Sequence, residues 1–100
     1  MTEAKLAIVV LIDAKVDKAD EVKALLNSAL PLAMEEYGTI SWYAVQINTT
    51  QFAIFDTFNS EESLTAHLNG KIATALLGKA DELLSSAPQI MTADILAAKV

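Results

Sequence analysis

The run Leu6-Ala7-Ile8-Val9-Val10-Leu11-Ile12, closed at once by Asp13, limits this chain more than any other feature. It is too short and too β-branched for a buried helix, so it predicts a strand over 5–13. Polar residues do not alternate within it, and a strand of that kind needs cover on both faces. One layer of helices supplies only one cover. Hydrophobic residues make up 53% of the 100-residue sequence, and a domain this small has little interior in which to hide them. The excess predicts a second apolar surface that faces a partner.

After this strand the spacing changes to three and four. Val22, Leu25, Leu26, Ala29, Leu30 and Ala33 form one stripe, with Asp20, Glu21, Lys23 and Asn27 opposite, so a helix is expected from an N-cap at Asp17 or Asp20. Pro31 should kink it or start a new segment, and Gly38 should close it. A second strand is predicted over 39–48 and a third from Phe52, joined as a hairpin by the polar turn Asn48-Thr49-Thr50-Gln51. A short helix follows up to Gly70. A further helical run buries Ile72, Leu76, Ala80, Leu83 and Leu84 until Pro88 stops it, and a fourth strand is expected over 90–100. Gly78 inside that run suggests close packing. The order βαββαβ is that of a ferredoxin-like α+β fold, a four-stranded antiparallel sheet with helices on one face. The whole of 1–100 reads as a single domain.

Charge and composition remove several functions. A net charge of −6 without a Lys/Arg cluster argues against nucleic acid and anionic membrane as partners. Absent cysteine excludes disulfides and thiolate sites, and one histidine with acids on solvated helix faces predicts no metal and no cofactor constellation. No apolar run is long enough to span a bilayer or to serve as a signal peptide, so a cytoplasmic protein is expected.

The chemistry concentrates between Phe52 and Gly70. Asn59 or Ser60 before Glu61-Glu62 caps the short helix, on which Leu64, His67 and Leu68 stand at i, i+3 and i+4. His67 therefore turns toward the sheet. Asp56 is an acid in an apolar strand, and a buried carboxylate needs a partner. His67 can be a base or substrate-orienting group, or simply a packed histidine bonded to the sheet; Asp56 can orient it, or cap the corner or pair with a lysine. Trp42, Tyr43, Phe52, Phe55 and Phe58 can be pocket walls or core, and hairpin register, uncertain by one residue, leaves open which face each takes.

Trp42-Tyr43-Ala44-Val45-Gln46, Phe52 to Phe58, Ala66-His67-Leu68 with Gly70, and Asp94 to Lys99 together resemble the antibiotic biosynthesis monooxygenase superfamily. The resemblance implies a dimeric α+β barrel closed through the sheet faces of a homodimer. It also implies a cavity between sheet and helices where a small quinol or polyphenol meets dioxygen without a cofactor. Asp56-Thr57-Phe58 keeps the acid but replaces the Trp that many relatives carry. Ile72 replaces a second histidine, and the first strand lacks the asparagine of haem-degrading relatives. The expected function is a cofactor-independent monooxygenase, with His67 and Asp56 catalytic and Trp42, Tyr43, Phe55 and Phe58 around the substrate. The alternative is a non-catalytic dimeric domain that binds a small aromatic ligand, or a stress-related domain.

Overall fold

The computed structural model describes residues 4–100. Strand β1 (Leu6–Asp13) is followed by a 3-10 turn (Val16–Lys18) and helix α1 (Ala19–Glu35); β2 (Thr39–Gln46) and β3 (Gln51–Phe58) form the hairpin; α2 (Glu61–Leu68) and α3 (Lys71–Leu83) lead to β4 (Gln89–Asp94). The strands lie in the order β2-β3-β1-β4 and every pairing is antiparallel. This is the expected ferredoxin-like α+β fold.

Register sorts the side chains by face. Ile8, Val10 and Ile12 of β1, with Phe52, Ile54 and Phe58 of β3, pack under Val22 and Leu26 of α1 and Leu76 of α3. On the other face the pairings align Tyr43, Phe55, Val9 and Met91 in one row across all four strands. Tyr43 is 57% exposed and Phe55 41%. The second apolar surface expected from β1 is thus present. Small residues in neighbouring rows, such as Ala7 and Ala53, are buried between the larger side chains.

Several local expectations are corrected. Neither Asp17 nor Asp20 caps α1: the 3-10 turn absorbs Asp17, Lys18 takes the N-cap without a side-chain bond, and Asp20 falls in the first turn, where its charge suits the helix dipole. Leu30 is half exposed. Pro31 does not divide α1, which runs on to Glu35; the proline faces solvent, so water can satisfy the carbonyl it leaves without a donor. The helix ends before Gly38, and α3 ends at Leu83, ahead of Pro88, because Leu84 bridges to Ala14. β4 is shorter than 90–100: past Asp94 the last backbone bond to the sheet runs from Ile95 N to Lys5 O, 2.9 Å. Ser60, not Asn59, caps α2, accepting from Ser63 N at 3.2 Å. Asn48 makes the hairpin turn as expected, accepting from the amides of Thr50 and Gln51.

Candidate functional site

The corner from β3 into α2 brings His67 over the end of β3. The Ser60 cap fixes the first turn of α2, and Leu64 anchors the helix on the core. His67, three residues on, is 7% exposed and presents Nε2 to Asp56 Oδ2 at 2.8 Å. Its other nitrogen, Nδ1, meets Glu36 Oε1 at 2.5 Å. Glu36 is the C-cap residue of α1, and Thr39 Oγ1 donates to the same oxygen at 2.6 Å. One imidazole is therefore clasped between a carboxylate from the sheet and one from the end of a helix.

The electrostatics follow from that clasp. Burial opposes the charged ring, but bonds and charges of Asp56 and Glu36 outweigh it and raise the His67 pKa above its ordinary 6.5. The ring also lies in the last turn of α2, where the helix dipole favours a cation. An imidazolium donates at both nitrogens and keeps no lone pair. In that form, which the two carboxylates favour, His67 can stabilise a negative charge or pass a proton on, and it can act as a base only after losing one.

Asp56 is completely buried; Oδ2 makes the 2.8 Å ionic contact to the imidazole without the alignment of a full hydrogen bond, and Oδ1 has no donor among the described residues. Directly opposite in register stands Trp42, whose indole N–H is likewise buried without an acceptor. Phe58 stacks obliquely on His67, with ring centroids 5.2 Å apart. Of the six residues singled out in the sequence, four (His67, Asp56, Trp42 and Phe58) lie on the helix-covered side of the sheet. Tyr43 and Phe55 lie on the opposite face and do not join them.

The space is also elsewhere than expected. Beneath α1 and α3 the side chains close up, leaving voids of ≈30 and ≈20 Å³, room for about one water each; open grooves of ≈350 and ≈120 Å³ remain at the sheet edges, between α2 and β4 and between α1 and β2. Phe52, Phe58, Ile8, Ile12 and Val22 fill that interior. A cleft of ≈480 Å³ instead opens beside the cluster, where the end of α1, the start of β2 and the α2–α3 junction meet. Leu32, Glu36, Thr39, Glu62, His67 and Lys71 are among its walls, and Trp42, Asp56 and Phe58 are not. Gly38 shapes one wall: a Cβ there would stand 2.3 Å from Ser63 Oγ, so only glycine lets the strand entry pass α2 this closely.

Sequence reasoning missed Glu36 and Thr39. One signal was available: two glutamates at the C-terminal end of α1 oppose the helix dipole, and such a charge calls for a distant cation. Among the described residues no group of three or more acids and histidines is arranged to hold a metal ion; the two carboxylates flank opposite edges of the ring and cannot share one ion with it.

Fold and cluster together define a ferredoxin-like domain with a carboxylate-histidine-carboxylate site at a lateral cleft. No family model matches the sequence, and no curated protein matches it. Among solved structures, a Nitrosomonas europaea protein of unknown function is 43% identical, with a TM-score of 0.95, over 100% of this chain and 97% of that one. The chain belongs to the same family as that protein. A second Nitrosomonas europaea protein, described as a candidate antibiotic biosynthesis monooxygenase, is 14% identical with a TM-score of 0.82 over 92% of this chain and 99% of that one. A Caulobacter crescentus protein of the same description is 16% identical with a TM-score of 0.78, over 96% and 93%. At those identities the likeness is one of fold: the chain has the fold of the antibiotic biosynthesis monooxygenase superfamily, as its motifs implied.

Proposed function

We propose that the protein is a cofactor-independent monooxygenase that oxidises a small quinol or polyphenol in the cleft beside His67. The observation that carries this reading is the imidazole clasped between Asp56 and Glu36, which favour its cationic form, with one edge of the ring on a cleft large enough for an aromatic ring. A phenolate formed beside that cation is stabilised where its charge appears. It then gives its own electrons to dioxygen; one oxygen atom enters the ring and the other leaves as water. Asp56 keeps the imidazole oriented and charged from the sheet side. The likeness in fold to proteins described as candidate monooxygenases supports the class of reaction.

In this reading Trp42 and Phe58 back the imidazole and fix its position, and the substrate does not touch them in the resting arrangement. Tyr43 and Phe55 belong to the surface through which two copies pair. The protein is a single domain, acts in the cytoplasm as a homodimer, and takes neither nucleic acid nor membrane as a partner. Among the described residues no helix is long and apolar enough to cross a membrane.

Oxygen uptake with reduced menadione and a panel of catechols and hydroquinones tests the assignment. Wild-type turnover that falls at least ~100-fold in both His67→Ala and Asp56→Asn is the expected result, the size typical of a removed proton-handling or charge-stabilising group. Tight binding of these rings without oxygen uptake would replace the enzyme by a ligand-binding domain.

A further inference from the structure

Glu36 holds a position that neither His67 nor Asp56 can take. Its Oε1 receives both His67 Nδ1 and the Thr39 hydroxyl, which satisfies that oxygen. Its Oε2 lies beside Gly70, where a Cβ would stand 3.4 Å away, and Glu36 and Gly70 both line the cleft. The Glu36 side chain is 20% exposed, against 7% for His67 and none for Asp56. Exposure thus rises in steps from the sheet to the cleft, along an unbroken line of ionisable groups.

Chemistry separates the three. The imidazolium has no lone pair to offer, and Asp56 is sealed behind it. Glu36 alone joins an available carboxylate oxygen to the cleft and a bonded cation behind it. We propose, resting on the monooxygenase reading above, that Glu36 is the base of this site. Its Oε2 takes the hydroxyl proton of a phenol bound in the cleft, while Oε1 stays bonded to His67 and Thr39. The O–H bond of the phenol breaks, its electron pair stays on the phenolate oxygen beside the imidazolium, and the proton forms an O–H bond on Glu36. The proton then leaves to solvent through the cleft mouth. His67 is the charge that makes the transfer affordable, and Asp56 is a positioning residue that acts through it.

Other polar groups around the cleft set the background: the charged Glu35 at the end of α1, Glu62 of α2 and Lys71 of α3, and the phenol of Tyr37 from the turn after α1. None of them bonds to the imidazole. They make a steady field that a substitution at Glu36 does not remove.

Glu36→Gln keeps the shape and an acceptor for both donors, so it separates base from scaffold. With quinols, kcat should fall at least ~100-fold while KM changes little, and Glu82→Gln, on the exposed face of α3 away from the cleft, should retain wild-type rates. Glu36→Asp should recover part of the rate. Independently of turnover, 4-nitrophenol reports its own ionisation by colour: wild type should bind it and shift it toward phenolate, and Glu36→Gln should slow the appearance of that colour after a pH jump. Imidazole ¹⁵N spectra should show His67 giving up its proton at lower pH in Glu36→Gln than in wild type. Wild-type rates in Glu36→Gln, an unchanged rate of colour appearance, or no binding of 4-nitrophenol by wild type would each overturn the assignment. Lack of turnover with every quinol, alongside a Glu36-dependent rate of colour appearance, would instead remove the monooxygenase reading and leave Glu36 as a base toward bound phenols.

Discussion

At the residue scale, the His67 clasp trades a desolvation cost for two charge-assisted contacts, and pH reveals the balance. Because the folded-state pKa of His67 is raised above 6.5, its contribution to stability is complete below that value and is lost as pH rises through the raised one. His67→Gln should therefore cost about 3–5 kcal/mol in urea melts near pH 6, since it strands the buried Asp56, and the difference from wild type should shrink toward pH 9. A gap that widens with pH would mean that the imidazole is held neutral. Trp42 gives the opposite kind of test. Its indole N–H is buried without an acceptor, and an unmet donor costs about 1–3 kcal/mol. Trp42→Phe keeps the ring and should be neutral or stabilising by about 1 kcal/mol; a loss of more than 1 kcal/mol would show that the N–H has a partner in solution. Which of these residues could be read from the sequence is instructive. Asp56 and His67 stood out because each breaks the apolar pattern of its own element. Glu36 did not, because its partner lies 31 residues away and nothing local records the contact except an acid at the wrong end of a helix.

Elements were legible where periodicity fixes them and illegible where a neighbour decides. The unbroken apolar run of β1, the hairpin closed by Asn48, and the three-and-four stripes of α1 and α3 all follow from side-chain spacing, and each is observed. Helix ends followed tertiary contacts instead: the Ala14–Leu84 bridge terminates α3 before Pro88 can, and β4 stops where β1 no longer offers a ladder. Hairpin register, worth one residue, decided which aromatics meet His67, since a single step moves every side chain to the other face. Gly78 corrects a further expectation. A Cβ there would meet nothing within 4 Å, so the glycine does not serve close packing, and it carries only the entropic cost of glycine in a helix. Gly78→Ala should accordingly raise stability by about 0.5–1 kcal/mol. Denaturant midpoints at unchanged slope measure the gain, and a loss would mean that this face of α3 contacts something beyond the chain.

For the molecule as a whole, the deciding fact is that helices cover one side of the sheet and the row Tyr43, Phe55, Val9, Met91 is left on the other. Phe55 stands mid-row on a central strand, so a two-fold pairing through this face would bury it on both copies. Burying a phenylalanine from water is worth about 1.5–3 kcal/mol per side chain, and a symmetric interface counts it twice. Phe55→Glu removes that gain and sets two carboxylates against each other, without touching the core beneath α1 and α2. Sedimentation velocity should find wild type paired at micromolar concentration and the variant at least ~100-fold weaker in association. Circular dichroism of the variant should retain the helical signal, because the covered face is unaltered. A wild type that stays monomeric at those concentrations would remove the need for a partner on this face. The cleft beside His67 would be untouched by that result, since every residue of the clasp comes from one chain, and pairing and chemistry can therefore be tested apart.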